Sequence, residues 1–182
     1  SHGAEELQES VERLHGDVKS SISPRGLYRV IPIADSNIDD ADPPADLLDA
    51  EYVLVGVLTI GKSGHVGNGS DSLLDDLIRD AMENVALQFT RTEMIAEIRD
   101  RAHEMGLNTT RVFPPGARGH DWSLDNRQYI FERLPTETLD IHLRDQRITE
   151  PQKTFAFVLG LGDQAGQQAP QAGAGRLFVI DD

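Results

Sequence analysis

The chain has 182 residues, of which 38% are hydrophobic and 26% charged, and its formal net charge is −14 at pH 7. Such a composition is typical of one folded domain with a buried core, and so negative a field argues against general binding to nucleic acid. No apolar run approaches the roughly 20 residues of a membrane span, and the absence of cysteine excludes disulfides, thiolate zinc sites and iron–sulfur clusters. We therefore expect a cytoplasmic protein with neither membrane nor nucleic-acid partners, and we interpret residues 1–3 as a tag remnant.

The first third of the chain contains two helical and two extended patterns. A short strand is predicted over 27–33, and a short helix follows the two prolines at 43 and 44 and ends near Leu48. The run EYVLVGVLTI, residues 51–60, is almost entirely apolar and β-branched, as in a strand that is buried on both faces. An amphipathic helix is predicted over 4–21, where apolar side chains recur at helical spacing: Leu7, Val11, Leu14 and Val18.

A long helix is predicted from about 71 to 105, with Ser70 or Asp71 as its N-cap and Gly106 as the residue that ends it. The alternative is a pair of helices with a break near 90, because Thr90 and Glu93 have the spacing of a capping box. The 3.6-residue period is kept by apolar residues along the whole segment: Leu74, Leu77, Ile78, Ala81, Val85, Ala86, Phe89, Ile95, Ile98, Ala102 and Met105.

The last third predicts a helix over 124–134 and a half-buried strand in LDIHLRD. A buried strand, TFAFVLGLG, comes next and is followed by a flexible Gln-, Ala- and Gly-rich loop over 163–175. RLFVIDD is a short closing strand. Helices and strands are interspersed without strict alternation, so the sequence predicts one α+β domain over 1–182 with a mixed, partly antiparallel sheet.

A literal phosphate-loop pattern, G-x-x-x-x-G-K-[ST], occupies residues 56–63. In that motif the chain curls around the phosphates, and its Lys and Ser begin a helix whose N-terminus faces them. Here the four intervening residues, VLTI, favour a strand, and the following GHVGNG is poor helix material. A P-loop nucleotide binder is therefore only a remote alternative.

The stretch RVFPPGARGHDW, residues 111–122, fits neither a regular helix nor a strand. Its Pro115–Gly116 pair predicts a tight turn with glycine at positive φ, and Trp122 is expected to be a core anchor. His120, beside Asp121, is an oriented base, an axial-type ligand or, preferably, an exposed loop residue. The isolated His65 is expected to be exposed. The Asp pairs at 39–40, 75–76 and 181–182 lack the spacing of a metal site, so no metal site is predicted. No catalytic residue is predicted either, because a Ser–His–Asp set cannot be recognised from spacing alone.

Four stretches, in order, resemble the activation domain of vitamin B12-dependent (cobalamin-dependent) methionine synthase, and in particular its short stand-alone relatives. SISPRGLYRVIPI resembles an early strand of that family, and AEYVLVGVLTIG resembles its buried strand ending in Thr-x-Gly. GLNTTRVFPPGARGHDWSLDNRQYIFERL resembles the signature in which an Arg precedes Pro-Gly, a Trp and a helix, and ITEPQKTFAFVLGLG resembles a later strand. The resemblance covers about residues 20–163, and the long helix matches in place.

The resemblance implies a module that binds S-adenosylmethionine and reactivates a cobalamin held by a partner, which is a corrinoid-binding protein or a methyltransferase. Reduction of cob(II)alamin by one electron, followed by methyl transfer from the sulfonium, would restore methylcobalamin. The chain would thus be an accessory part of a methyltransferase system for methionine biosynthesis rather than a complete enzyme. The resemblance casts Arg111 as the clamp on the ligand carboxylate, a role that suits a bidentate guanidinium, with Pro115 and Gly116 as the turn against the ligand. The equal alternative is that Arg111 pairs with one of the many carboxylates of this acidic chain.

The chain departs from the family pattern Arg-x-x-Pro-Gly-Tyr at two points. Arg111 lies one residue farther from Pro115–Gly116, and Ala117 occupies the tyrosine position, where Arg118 or His120 would have to supply the missing contact. These departures leave a second hypothesis, in which the same fold binds a corrinoid protein, or serves as a scaffold, without S-adenosylmethionine.

Overall fold

A computed structural model describes residues 2–62, 72–118, 122–163 and 176–179 of the chain. The α-helices are α1 (His2–Ser21), α2 (Ile33–Ser36), α3 (Ala45–Leu48), α4 (Leu73–Glu104) and α5 (Arg127–Phe131). The strands are β1 (Arg25–Pro32), β2 (Tyr52–Thr59), β3 (Leu107–Thr109), β4 (His142–Arg144), β5 (Ile148–Glu150), β6 (Thr154–Asp163) and β7 (Arg176–Val179). Short 3₁₀ helices span Ile38–Ala41, Leu124–Asn126 and Thr136–Leu139.

The larger sheet has the strand order β3-β6-β2-β1-β7, and β4 and β5 form a separate hairpin. Each strand pairing within the described residues is antiparallel. The predicted α+β class is thereby confirmed, and so are the strands expected over 27–33 and 51–60, each within two residues of its predicted ends. The predicted loop at 163–175 lies almost entirely outside the described residues.

The central strand β2 is buried on both faces, as its apolar sequence predicts. Its odd-numbered valines pack with Trp122 and the short helices, whereas Leu54 and Leu58 pack with the second half of α4. Gly56, in the middle of β2, has to be a glycine because a Cβ there would be only 2.5 Å from the ring of Phe157. The sheet therefore separates two apolar layers, with α4 on one side and the segment that contains Trp122 on the other.

The long helix α4 is continuous, so the alternative of two helices with a break near 90 is wrong. The Thr90 hydroxyl donates to the Ala86 carbonyl within the helix and is buried, and does not cap a new one. The N-cap is Ser72, whose side chain accepts from the Asp75 amide, and not Ser70 or Asp71. Gly106 ends the helix at φ +76°, as predicted.

Two predicted elements are shorter than their patterns suggest. The helix expected over 124–134 is a 3₁₀ turn followed by the short α5, which ends at Phe131. In LDIHLRD only 142–144 is extended, because Leu139 is the last residue of a 3₁₀ helix and the next residue, Asp140, has φ +53°. A left-handed residue at that position interrupts the extended backbone, which an alternating side-chain pattern does not indicate.

Candidate functional site

The Pro114–Ala117 segment forms the tight turn that the sequence predicts. The Ala117 amide donates to the Pro114 carbonyl at 3.3 Å, and Gly116 has φ +76°. With proline and glycine at its two central positions, the turn has the sequence of a type II turn. Pro115 and Gly116 are therefore the central residues of the turn, and Pro114 precedes them. Pro115 is buried, whereas Gly116 is exposed.

The turn is held in place by Trp122 and the 3₁₀ helix that follows it. The Gly116 amide donates to the Trp122 carbonyl at 2.8 Å, and the buried Trp122 donates through Nε1 to the Ala41 carbonyl at 2.8 Å. A Cβ on Gly116 would lie 2.8 Å from the Leu124 side chain. Internal packing thus explains both the glycine and its hydrogen bond, and Trp122 is the core anchor that the sequence predicts.

Arg111 lies just before this turn, where the chain leaves β3 and bridges to β6 through Phe113. Its side chain is 60% exposed, and its Nε lies 3.4 Å from Oδ2 of Asp46, which belongs to α3. Its guanidinium carbon lies 4.9 Å from the centre of the buried Phe113 ring. The structure therefore presents a guanidinium and a carboxylate side by side, both open to solvent.

The other predicted site residues contribute less to this place. Ala117 is half-buried, and Arg118 is exposed and forms no ion pair or hydrogen bond with the described residues. His120 and His65 lie outside the part of the chain that the structure describes.

Two features of the described residues are not indicated by the sequence patterns. Asp46 is far from Arg111 in the chain, and only the packing of α3 against β6 brings the two together. Arg133 donates to the Ser36 carbonyl through both Nε and Nη2, and Tyr129 donates to the same oxygen. Burial raises the pKa of Tyr129. This cluster fastens α5 to the end of α2, and no short sequence motif marks it.

The phosphate-loop pattern has the wrong conformation over its first half. Gly56–Thr59 are part of β2 and pair with both β1 and β6, so this segment cannot wrap around a phosphate. The Lys62 ammonium lies 3.2 Å from Oδ2 of Asp140. The motif is therefore a core strand that leads into a loop whose residues from Ser63 on are outside the described part.

Further observations bound the chemistry of the described residues. No three or more His, Asp or Glu side chains among them are grouped closely enough to hold a metal ion. None of the helices in the described ranges is both long and apolar enough to cross a membrane. No model of a known protein family matches the chain.

Proposed function

We propose that the chain is an S-adenosylmethionine-binding module that supports reductive methylation of a corrinoid carried by a partner protein. The proposal combines the ordered resemblance over residues 20–163 with one observation, the exposed Arg111–Asp46 pair beside the Pro115–Gly116 turn. The proposed role is cytoplasmic, and its partner is a corrinoid-binding protein or methyltransferase. Nucleic acid is not a proposed partner because the net charge of −14 would repel it.

The Arg111–Asp46 pair matches the amino-acid end of the proposed ligand. That end carries a carboxylate, which a guanidinium binds through two parallel hydrogen bonds, and an ammonium, which a carboxylate binds. An ion pair between exposed groups contributes only about 0–1 kcal/mol, so a ligand can replace the contact at 3.4 Å without a large penalty. In this arrangement the protein would bind and orient the methyl donor, and the methyl acceptor and the electron would come from the partner.

The turn would supply a fixed edge to this site. Pro115 is buried and Gly116 is bonded to Trp122, so the backbone at 114–117 is set before any ligand arrives. A binding surface that is already ordered loses less conformational entropy when a ligand binds.

The test is calorimetric titration of S-adenosylmethionine into the protein. Replacing Arg111 by Ala should weaken binding by about 1.5–3 kcal/mol, the range for a hydrogen bond to a charged group. The matched control is Arg144→Ala, since Arg144 is also exposed and also forms an ion pair, with Glu150 at 2.6 Å. Asp46→Asn should weaken the binding of the same ligand, because it removes the carboxylate that contacts the ligand's ammonium.

A ligand that lacks the amino-acid end makes the test specific. 5′-Methylthioadenosine has neither the carboxylate nor the ammonium, so its affinity should be the same for the wild type and for Arg111→Ala. Equal loss for both ligands, or equal loss in Arg111→Ala and Arg144→Ala, would exclude Arg111 as the carboxylate clamp.

A second candidate function is favoured because polar groups of the turn and of Arg111 already have partners within the protein. The Gly116 amide has an internal acceptor, Arg111 has a carboxylate partner, and Ala117 has no hydroxyl with which to hold a ligand. On this alternative the same fold is a binding or scaffold module for a corrinoid protein and takes no methyl donor. It predicts no heat with S-adenosylmethionine at millimolar concentration, together with a complex with a corrinoid protein in sedimentation velocity.

A further inference from the structure

One groove of the molecule has a charge opposite to that of the whole chain. It lies between α4 and the segment after β3 and has a volume of about 430 Å³. Arg91, Arg99 and Arg111 line it, and none of its other described lining residues is acidic. Acidic residues outnumber lysine and arginine by 31 to 17 in the chain, so a groove with three guanidinium groups and no carboxylate is unusual here. We name it the arginine groove.

Another groove among the described residues does not share this property. This groove, beside β5 and of about 500 Å³, is lined by Lys62, Arg79 and Lys153 but also by several acidic residues, so its charges compensate one another. The acidic residues that line it are Asp76, Asp80, Glu83 and Glu150.

Two of the three arginines have no acidic partner within the described part of the chain. Arg91 lies over the ring of Phe155, with its guanidinium carbon 4.4 Å from the ring centre, and forms no ion pair there. Arg99 is exposed and is likewise unpaired among the described residues. Stacking on Phe155 restrains the Arg91 side chain while it leaves the N–H groups available. The positive charge of the groove is therefore not neutralised from within, apart from the contact of Arg111 with Asp46.

The arginines surround an apolar floor. Arg91, Ile95 and Arg99 follow one another at single-turn spacing on α4, which places the two arginines about 12 Å apart along the helix axis. Ile95 is buried and Val112, on the segment after β3, is half-buried, and both line the groove. A ligand could thus place apolar atoms against Ile95 and Val112 and an anionic group against a guanidinium.

We propose that the arginine groove binds a small organic anion, whose phosphate or carboxylate group contacts Arg99 and whose apolar body covers Ile95 and Val112. Guanidinium groups bind both types of oxyanion through paired hydrogen bonds. This site goes beyond the proposed function, because S-adenosylmethionine carries a sulfonium cation and its amino-acid end is assigned to Arg111 and Asp46. Neither Arg91 nor Arg99 has a part in that function.

The test is an NMR titration with four small probes at constant ionic strength, which reads the backbone amide shifts of Ala96 and Val112. Phenyl phosphate and phenylacetate carry an anion and an apolar ring, benzyl alcohol carries the ring alone, and inorganic phosphate carries the anion alone. Both aryl anions should shift these amides in a saturable way, and each should bind at least tenfold more tightly than either incomplete probe. The stronger of the two identifies the ligand as a phosphate ester or as a carboxylate.

Matched variants separate a local site from net charge. Arg99→Gln should lower the affinity for the preferred aryl anion by at least tenfold, which is the effect of losing one hydrogen bond to a charged group. Arg101→Gln removes the same charge from the same helix, but Arg101 pairs with Glu97 and does not line the groove, so it should change the affinity less than twofold.

Three results would each overturn the proposal. They are an equal loss of affinity in Arg99→Gln and Arg101→Gln, an affinity for benzyl alcohol equal to that for the aryl anions, and no shift at Ala96 and Val112. None of these results depends on S-adenosylmethionine, so a failure of this site and a failure of the proposed function remain distinguishable.

Discussion

Gly116 is restricted both by its backbone conformation and by its neighbours. Its φ of +76° lies in the left-handed region, where a Cβ is unfavourable, and its amide is used by the Trp122 carbonyl. A Cβ would also meet the Leu124 side chain at 2.8 Å. The residue is therefore needed for the shape of the turn whether or not a ligand binds beside it.

Gly116→Ala should reduce the free energy of unfolding by about 1–3 kcal/mol, because strained backbone and the contact with Leu124 add together. The measurement is urea unfolding followed by circular dichroism. Gly16→Ala is the matched control: Gly16 is exposed within α1, and a Cβ there would meet nothing within 4 Å. That change should stabilise the protein by about 0.5–1 kcal/mol, since alanine favours a helix. A neutral Gly116→Ala would show that the turn adapts to a side chain.

Local sequence is enough to predict the turn but not the Arg111–Asp46 pair. Proline followed by glycine favours the turn because proline fixes its own φ and glycine accepts the positive φ that the next position requires. Asp46 cannot be found in this way, since it is one of 31 acidic residues and its position depends on how α3 packs on the sheet. The arginine groove is missed for the same reason, because Arg91 and Arg99 meet Val112 only after α4 has docked.

At the level of elements, α4 shows what hydrophobic periodicity can and cannot reveal. The repeat correctly predicts a long helix, and in its second half the repeat residues Ile95, Ile98 and Ala102 are buried. The first half keeps the same period, yet Leu74, Leu77, Val85 and Phe89 are exposed. The period indicates which residues share a face but not which face is covered. The buried residues of the first half are Asp75, Arg79 and Glu83, and Asp75 and Arg79 form ion pairs with α1.

Alanine substitutions should separate the two halves of α4. Met94→Ala should cost about 2–5 kcal/mol of unfolding free energy, as other large-to-small core changes do, because Met94 is 0% exposed. Leu77→Ala, at 61% exposure, should cost less than about 1 kcal/mol. Both are measured by urea denaturation at pH 7. Comparable losses at the two positions would mean that Leu77 is covered in solution.

At the scale of the whole molecule, ion pairs join segments that are distant in sequence. Arg13 of α1 contacts Asp75 of α4 at 2.7 Å, and Lys153, just before β6, contacts Asp80 of α4 at 2.5 Å. In each case the hydrogen bond from the basic partner is the main cause that lowers the pKa of the aspartate. Hydrogen bonds likewise lower the pKa of two further aspartates, chiefly from Arg147 to Asp125 and from His142 to Asp140.

These lowered pKa values predict loss of stability in acid. A carboxyl whose pKa is lower in the folded state than its unfolded value of about 3.9 binds more protons when the chain is unfolded. The stability it contributes is therefore complete above about pH 5 and is lost as the pH falls through the folded-state pKa.

Asp80→Asn removes one such titration, so between pH 6 and pH 3 this variant should lose less stability than the wild type does. Asp100→Asn, at an exposed position without an ion pair to the described residues, should follow the wild-type curve. Urea midpoints at successive pH values test this, and an Asp80→Asn curve parallel to the wild type would show that the contact with Lys153 does not persist in solution.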